Sequence, residues 1–195
     1  LLLLVLAATA NAQNWKAQTI AAAGFTVSVP GELESVPEFN GEYGLVMAPA
    51  RQHRYETYYA MVEAPAAEAR FGVVVVQDPL RSALIRTGTM ADYYNYLGRI
   101  FFGDPKNDFY FRESNSVVVN GLKGLDHIYV RENPPGPPPR YTHGRIFDDG
   151  TKSYVVVYRA TSKFDLQSEA ALKFLDSFRL TPAHPRRGRQ RSPRH

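Results

Sequence analysis

Val117-Val118-Val119-Asn120-Gly121-Leu122-Lys123 and, further on, Phe147-Asp148-Asp149-Gly150-Thr151-Lys152 decide how this chain folds. Asn-Gly and Asp-Gly are the preferred centres of two-residue type I′ hairpin turns, because both central positions need positive φ. Around the first turn, Phe109 to Val119 and Leu122 to Glu132 read as strands; around the second, Tyr141 to Asp148 and Thr151 to Thr161 do. The two hairpins are joined by Asn133-Pro134-Pro135-Gly136-Pro137-Pro138-Pro139, a stiff loop that cannot itself enter a sheet. The expectation is an antiparallel meander.

Upstream, Trp15 to Ile20 and Phe25 to Val29 alternate in polarity, with Gly24 between them and Pro30-Gly31 after the second. Residues 31–53 are read as loop, with a short strand at Leu45 to Met47. Tyr55 to Glu63 and Phe71 to Gln77 are strand-like, and the run Val73-Val74-Val75-Val76 suits a strand buried on both faces. The period then changes. Tyr93, Leu97, Ile100 and Phe101 follow helical spacing, Thr89 can cap the first turn, and Gly103 with Pro105 can stop the helix, which predicts a helix over 90–102. A second helix, 168–178, carries Ala171, Leu175 and Phe178 in one stripe. The fold class expected is α+β, a mainly antiparallel sheet flanked by two main helices as an α/β/α sandwich.

Strict two-residue turns set a register. Ser114 then faces His127 and Arg112 faces Tyr129; across the second turn His143 faces Val156, Arg145 faces Tyr154 and Tyr141 faces Tyr158. If the proline loop brings His127 and Tyr129 beside His143 and Arg145, one face gathers Arg112, His127, Tyr129, Tyr141, His143, Arg145, Tyr154 and Tyr158. The other face then holds Ile128, Val130, Ile146, Val155 and Val157 as plain core. Tyrosine and arginine combine contact area with a polar tip, so this face is the candidate binding surface. The alternative is that helix 90–102 simply covers it.

Catalytic chemistry finds little purchase. His127 and His143 could approach each other, but a metal needs a third ligand, and in this register Asp126 and Glu113 lie on the opposite face; no metal and no cofactor are expected. No serine sits in a Gly-x-Ser-x-Gly setting, and Asp148-Asp149 reads as turn chemistry. Gly121-x-x-Gly124 is a turn glycine followed by a strand glycine, not a phosphate cradle.

The ends of the chain speak of location. Leu1 to Ala10 is apolar or small and is followed by Ala10-Asn11-Ala12-Gln13, the pattern of a signal peptide cleaved after Ala12, its start truncated. Residues 13–182 then form one domain, and 183–195 a disordered, arginine-rich tail. There are no cysteines, so no disulfide, thiolate metal site or thiol chemistry is available. The net charge of +4 comes from the tail: without Arg186, Arg187, Arg189, Arg191 and Arg194 the chain holds 18 basic and 19 acidic side chains. A domain that near to neutrality is not expected to bind nucleic acid sequence-specifically. No integral membrane anchor is expected after cleavage. The tail could contact an anionic polymer.

With Trp15, Gly24-Phe25-Thr26-Val27-Ser28-Val29-Pro30-Gly31, the long meander and a closing Phe174-Leu175-Asp176-Ser177-Phe178-Arg179-Leu180, the chain resembles small exported bacterial domains of the PsbP/Mog1-like kind. The resemblance spans most of residues 15–181 and implies an α/β/α sandwich acting as an accessory or assembly factor on a larger partner. It supplies no catalytic residues, and the metal sites of plant photosystem members have no counterpart here. The expected function is an exported, periplasmic or secreted, non-catalytic binding module whose partner is an envelope protein. The alternatives are a hydrolase with His127 or His143 as general base, and a purely structural envelope protein.

Overall fold

The structure, a computed structural model, describes residues 14–36, 54–64, 67–78, 81–102, 110–131, 140–160 and 162–181. The expected signal segment, tail, proline loop, Gly103-Pro105 stop and strand at Leu45 to Met47 lie outside these residues. Ten strands and three α-helices are described: β1 (Lys16–Ile20), β2 (Phe25–Val29), β3 (Glu34–Val36), β4 (Arg54–Ala64), β5 (Ala67–Gln77), α1 (Arg81–Thr87), α2 (Met90–Phe102), β6 (Tyr110–Val119), β7 (Leu122–Arg131), β8 (Arg140–Asp148), β9 (Ser153–Ala160), α3 (Glu169–Ser177) and β10 (Arg179–Leu180). A 3₁₀ turn, Lys163–Asp165, precedes α3.

Seven strands form one antiparallel sheet in the order β3-β4-β5-β9-β8-β7-β6, and β1-β2-β10 form a small second sheet. The centre of the large sheet is buried on both sides, which explains the unbroken valines of β5: Val73 and Val75 enter one core, Val74 and Val76 the other. On the first side, α3 and the small sheet pack Phe25, Val27, Phe174 and Phe178 over Phe71 and Val156. On the second, α2 packs Tyr93, Leu97 and Phe101 over Val155, Val157 and Ile146. The fold is therefore α+β, with helices on both faces of the sheet.

Helix α2 begins as a reciprocal cap. Thr89 Oγ1 accepts from the Asp92 amide at 3.2 Å, and Asp92 Oδ2 accepts from the Thr89 amide at 2.8 Å. The Thr89 contacts hold the Asp92 carboxyl below its usual range. Ser168 caps α3 by accepting from the Ala171 amide.

The first turn forms as expected: Asn120 and Gly121 have φ of 49° and 81°, and Val119 pairs with Leu122. The second does not. Asp148 pairs with Ser153 rather than Thr151, so four residues make the reversal, and of these only Gly150 has positive φ. The cause is the Asp149 carboxylate, whose Oδ1 accepts from the Thr151 and Lys152 amides, both at 2.7 Å, and draws the loop around itself. The β8–β9 register shifts by two: His143 faces Tyr158, Arg145 faces Val156 and Tyr141 faces Ala160. An even shift leaves every side chain on its expected face.

Four elements add to the expected set. Helix α1 has no buried residue, and Arg81 at its start is tied to Asp148 through both carboxylate oxygens. β3 and β10 are short strands recruited by β4 and β2, and the 3₁₀ turn is capped by Ser162.

Candidate functional site

The eight expected site residues do not share a face. Between β7 and β8, Asp126 pairs with Arg145, His127 with Gly144, Ile128 with His143 and Tyr129 with Thr142. This register is odd with respect to the expected one, so it puts His127 and Tyr129 on the α2 side and His143 and Arg145 on the α3 side, and helix 90–102 covers only the first pair. Gly144 is the physical mark of the pairing. A Cβ there would run into the Phe102 ring, and that ring packs on His127, 5.5 Å between centroids. The expected plain core is divided in the same way: Ile128 and Val130 belong to the α3 side, Ile146, Val155 and Val157 to the α2 side.

On the α2 side, Ser114 and His127 face each other, and Arg112 is the register partner of Tyr129, both as expected. Ser114 Oγ lies 2.7 Å from His127 Nδ1. His127 and Tyr129 are buried.

On the α3 side a charged chain runs from the core to solvent. His143 is 3% exposed. Its Nδ1–H donates to the Leu166 carbonyl at 2.7 Å, and Nε2 stands 3.0 Å from both oxygens of Asp126. Both ring nitrogens are thereby engaged, one with a backbone carbonyl and the other with a carboxylate. Arg145 Nε donates to Asp126 Oδ1 at 2.6 Å, and its Nη1 donates to Asp176 Oδ1 at 2.6 Å. Burial by itself raises the Asp126 pKa; the His143 hydrogen bond and charge, followed by those of Arg145, outweigh it and hold the carboxyl below its usual range. Asp176, with a side chain 61% exposed, is the solvent end of the chain. The network fastens the turn before α3, and α3 itself, to the sheet.

Tyr154 and Tyr158 are buried on the same side. Tyr154 OH donates toward the Ala23 carbonyl at 3.2 Å and Asp149 Oδ2 at 2.9 Å, while burial raises the Tyr158 pKa. Tyr141 is partly buried. Asp126 and Asp176 are the functional-looking residues that sequence reasoning left out. Asp126 was placed on the wrong face by the assumed pairing, and the signal that could have found it is the Asp126/Arg145 charge match across neighbouring strands. Among the described residues, no group of three His, Asp or Glu side chains is arranged to hold a metal ion. Among the same residues no helix is long and apolar enough to cross a membrane.

No family model and no curated protein matches the chain. Solved structures do. The solution structure of cyanobacterial PsbP (CyanoP) from Synechocystis sp. PCC 6803 aligns with a TM-score of 0.53 at 12% identity, covering 88% of this chain and 95% of that one. A crystal structure of a Pseudomonas aeruginosa protein of unknown function aligns at a TM-score of 0.43 and 12% identity over 78% of this chain and 85% of that one, a likeness too loose to argue from. The fold of this chain is PsbP-like, as the resemblance implied. At such identity the likeness extends to the fold and no further.

Proposed function

We propose that this chain is an exported accessory module that acts by surface recognition and performs no chemistry of its own. The observation that carries this reading is the engagement of His143: both ring nitrogens are held, one by the Leu166 carbonyl and the other by Asp126, so neither is placed to take a proton from a substrate. The PsbP-like fold supports an accessory role by analogy, and the apolar Leu1 to Ala10 stretch with its Ala-x-Ala ending supports export to the periplasm or medium. Of the expected contact residues, Tyr141 is partly buried and Arg145, itself buried, pairs with the exposed Asp176, so recognition is assigned to that margin of the α3 side. The partner is an envelope protein, with the arginine tail adding attraction for anionic polymer.

The test is capture from the native envelope with the wild-type chain, a Tyr141→Ala/Asp176→Ala variant and a variant with its five tail arginines changed to glutamine. A discrete partner recovered by the wild type and lost in the double variant is expected. Identical recovery by all three would overturn the assignment of the margin, and recovery of nothing would favour a purely structural role.

The Ser114–His127 contact keeps one second reading, a hydrolase with His127 as base. Labelling by a fluorophosphonate probe separates the two. The accessory reading expects none, whereas labelling at Ser114 that disappears in His127→Gln would establish the hydrolase.

A further inference from the structure

Asn120-Gly121 has a chemistry of its own beside its role as a turn. In an Asn-Gly pair the glycine nitrogen can attack the carbonyl carbon of the asparagine side chain, because no Cβ on the following residue crowds the approach. The new N–C bond closes a five-membered succinimide and the side-chain nitrogen leaves as ammonia. Water then opens the ring to aspartate or isoaspartate. The sum is asparagine plus water giving aspartate or isoaspartate plus ammonia, and it needs no oxidant or cofactor. Both residues are exposed, and nothing lies within 4 Å of where a Gly121 Cβ would sit, so water reaches the turn.

The side-chain amide of this turn is also structural. Asn120 Nδ2 donates to the Asp176 carbonyl at 3.0 Å and to the Phe178 carbonyl at 2.8 Å, from 56 and 58 residues away in sequence. These carbonyls belong to the last turn of α3 and to its C-cap, where a helix runs out of intrahelical donors. β10 follows directly, and the Thr181 amide donates to the Gly24 carbonyl at 3.0 Å. The Asn120 amide thus latches the β6–β7 turn to the junction of α3 and β10.

We propose that Asn120 is a fold-gated deamidation site: inert while α3 and β10 are seated, converted when they open, and unable to reseat them once converted. The two bonds guard the amide. Donation from both of its hydrogens pushes electron density toward the carbonyl carbon and makes that carbon a poorer electrophile, and the held side chain must let go before the ring can close. Conversion reverses the contact. A carboxylate has no hydrogen to offer, and it would set its oxygens against two carbonyl oxygens at the negative end of the α3 dipole. Isoaspartate would also add a backbone carbon to a turn built from two residues. The change loosens β10 in one direction only, and the chain beyond β10 carries the five tail arginines. This goes beyond the accessory reading and does not depend on it.

Peptide mass spectrometry of the wild-type full chain, aged at neutral pH with and without urea, tests the gate. A second pair, Asn40-Gly41, lies outside the described residues and provides the reference rate in urea. In urea both sites should convert at the same rate, and in the folded chain Asn120 should convert about tenfold more slowly than in urea, or slower still. The latch is tested with Asn120→Asp, which builds the product, and Asn120→Gly, which removes the two bonds but keeps a residue suited to positive φ. Circular dichroism checks that both fold, and the wild-type rates stand whether or not they do. The Thr181 amide should exchange about tenfold faster in Asn120→Asp than in the wild type, and faster than in Asn120→Gly. Equal conversion of Asn120 in the folded chain and in urea would overturn the gate. Thr181 exchange no faster in Asn120→Asp than in Asn120→Gly would overturn the unlatching.

Discussion

Replacing Asp126 by asparagine removes the one charge that joins His143 to Arg145. Asp126 accepts from Arg145 Nε at 2.6 Å and faces His143 Nε2 at 3.0 Å, while His143 is buried and the Asp126 side chain is 18% exposed. Breaking a buried pair by removing one partner costs about 3–5 kcal/mol, and the residual exposure and the retained amide oxygen place Asp126→Asn at the lower end, about 3 kcal/mol. For a chain of this size that is a fall in Tm of roughly 6–12 °C. The wild type also carries a pH signature. The folded-state pKa of Asp126 lies below its unfolded value, so its contribution is complete above about pH 4 and is lost as pH falls through the folded pKa. Thermal unfolding followed by circular dichroism from pH 7 to about pH 2 measures both effects. Asp126→Asn should be less stable at neutral pH and should lose less stability on acidification. A variant as stable as the wild type at pH 7, or one with an unchanged acid limb, would refute the reasoning.

Three further substitutions probe the same scaffold. Gly144→Ala drives a methyl into the Phe102 ring and should cost about 1–3 kcal/mol in denaturant melts, partly recovered by adding Phe102→Leu. Asn120→Ala places alanine at positive φ and removes the donor to the Asp176 and Phe178 carbonyls at 3.0 and 2.8 Å; a loss of roughly 1–3 kcal/mol is expected from urea unfolding. Thr89→Ala deletes the α2 cap and should cost about 1 kcal/mol, with faster amide exchange confined to the first turn of that helix.

What the sequence discloses follows the range of the forces involved. Asn120-Gly121 is a local instruction, since two positions at positive φ leave one hairpin geometry. Helix α2 is just as local, because apolar spacing and the Thr89–Asp92 cap lie within its own span. Asp149-Gly150 carries two competing instructions, and the carboxylate's hold on the Thr151 and Lys152 amides prevails over the tight turn. Helix α1 has only Leu84 and Ile85, both half-buried, to pack against the α2-side core, and Arg81 ties its start to Asp148, distant in sequence. The candidate site failed at one place, the join between the hairpins. A proline loop transmits no register, so whether His127 or Ile128 stands beside His143 is settled by packing, with Gly144 yielding space to Phe102.

The central claim is the β7–β8 pairing, which puts Asp126 with His143 and Arg145 and sends His127 to the other side of the sheet. Cross-strand proton–proton contacts measured by NMR test it directly. The pairing predicts backbone contacts linking Asp126 with Arg145, His127 with Gly144 and Ile128 with His143. Backbone contacts that instead place His127 opposite His143 or Arg145 would contradict it and would reassemble the phenols, imidazoles and guanidinium groups on a single face.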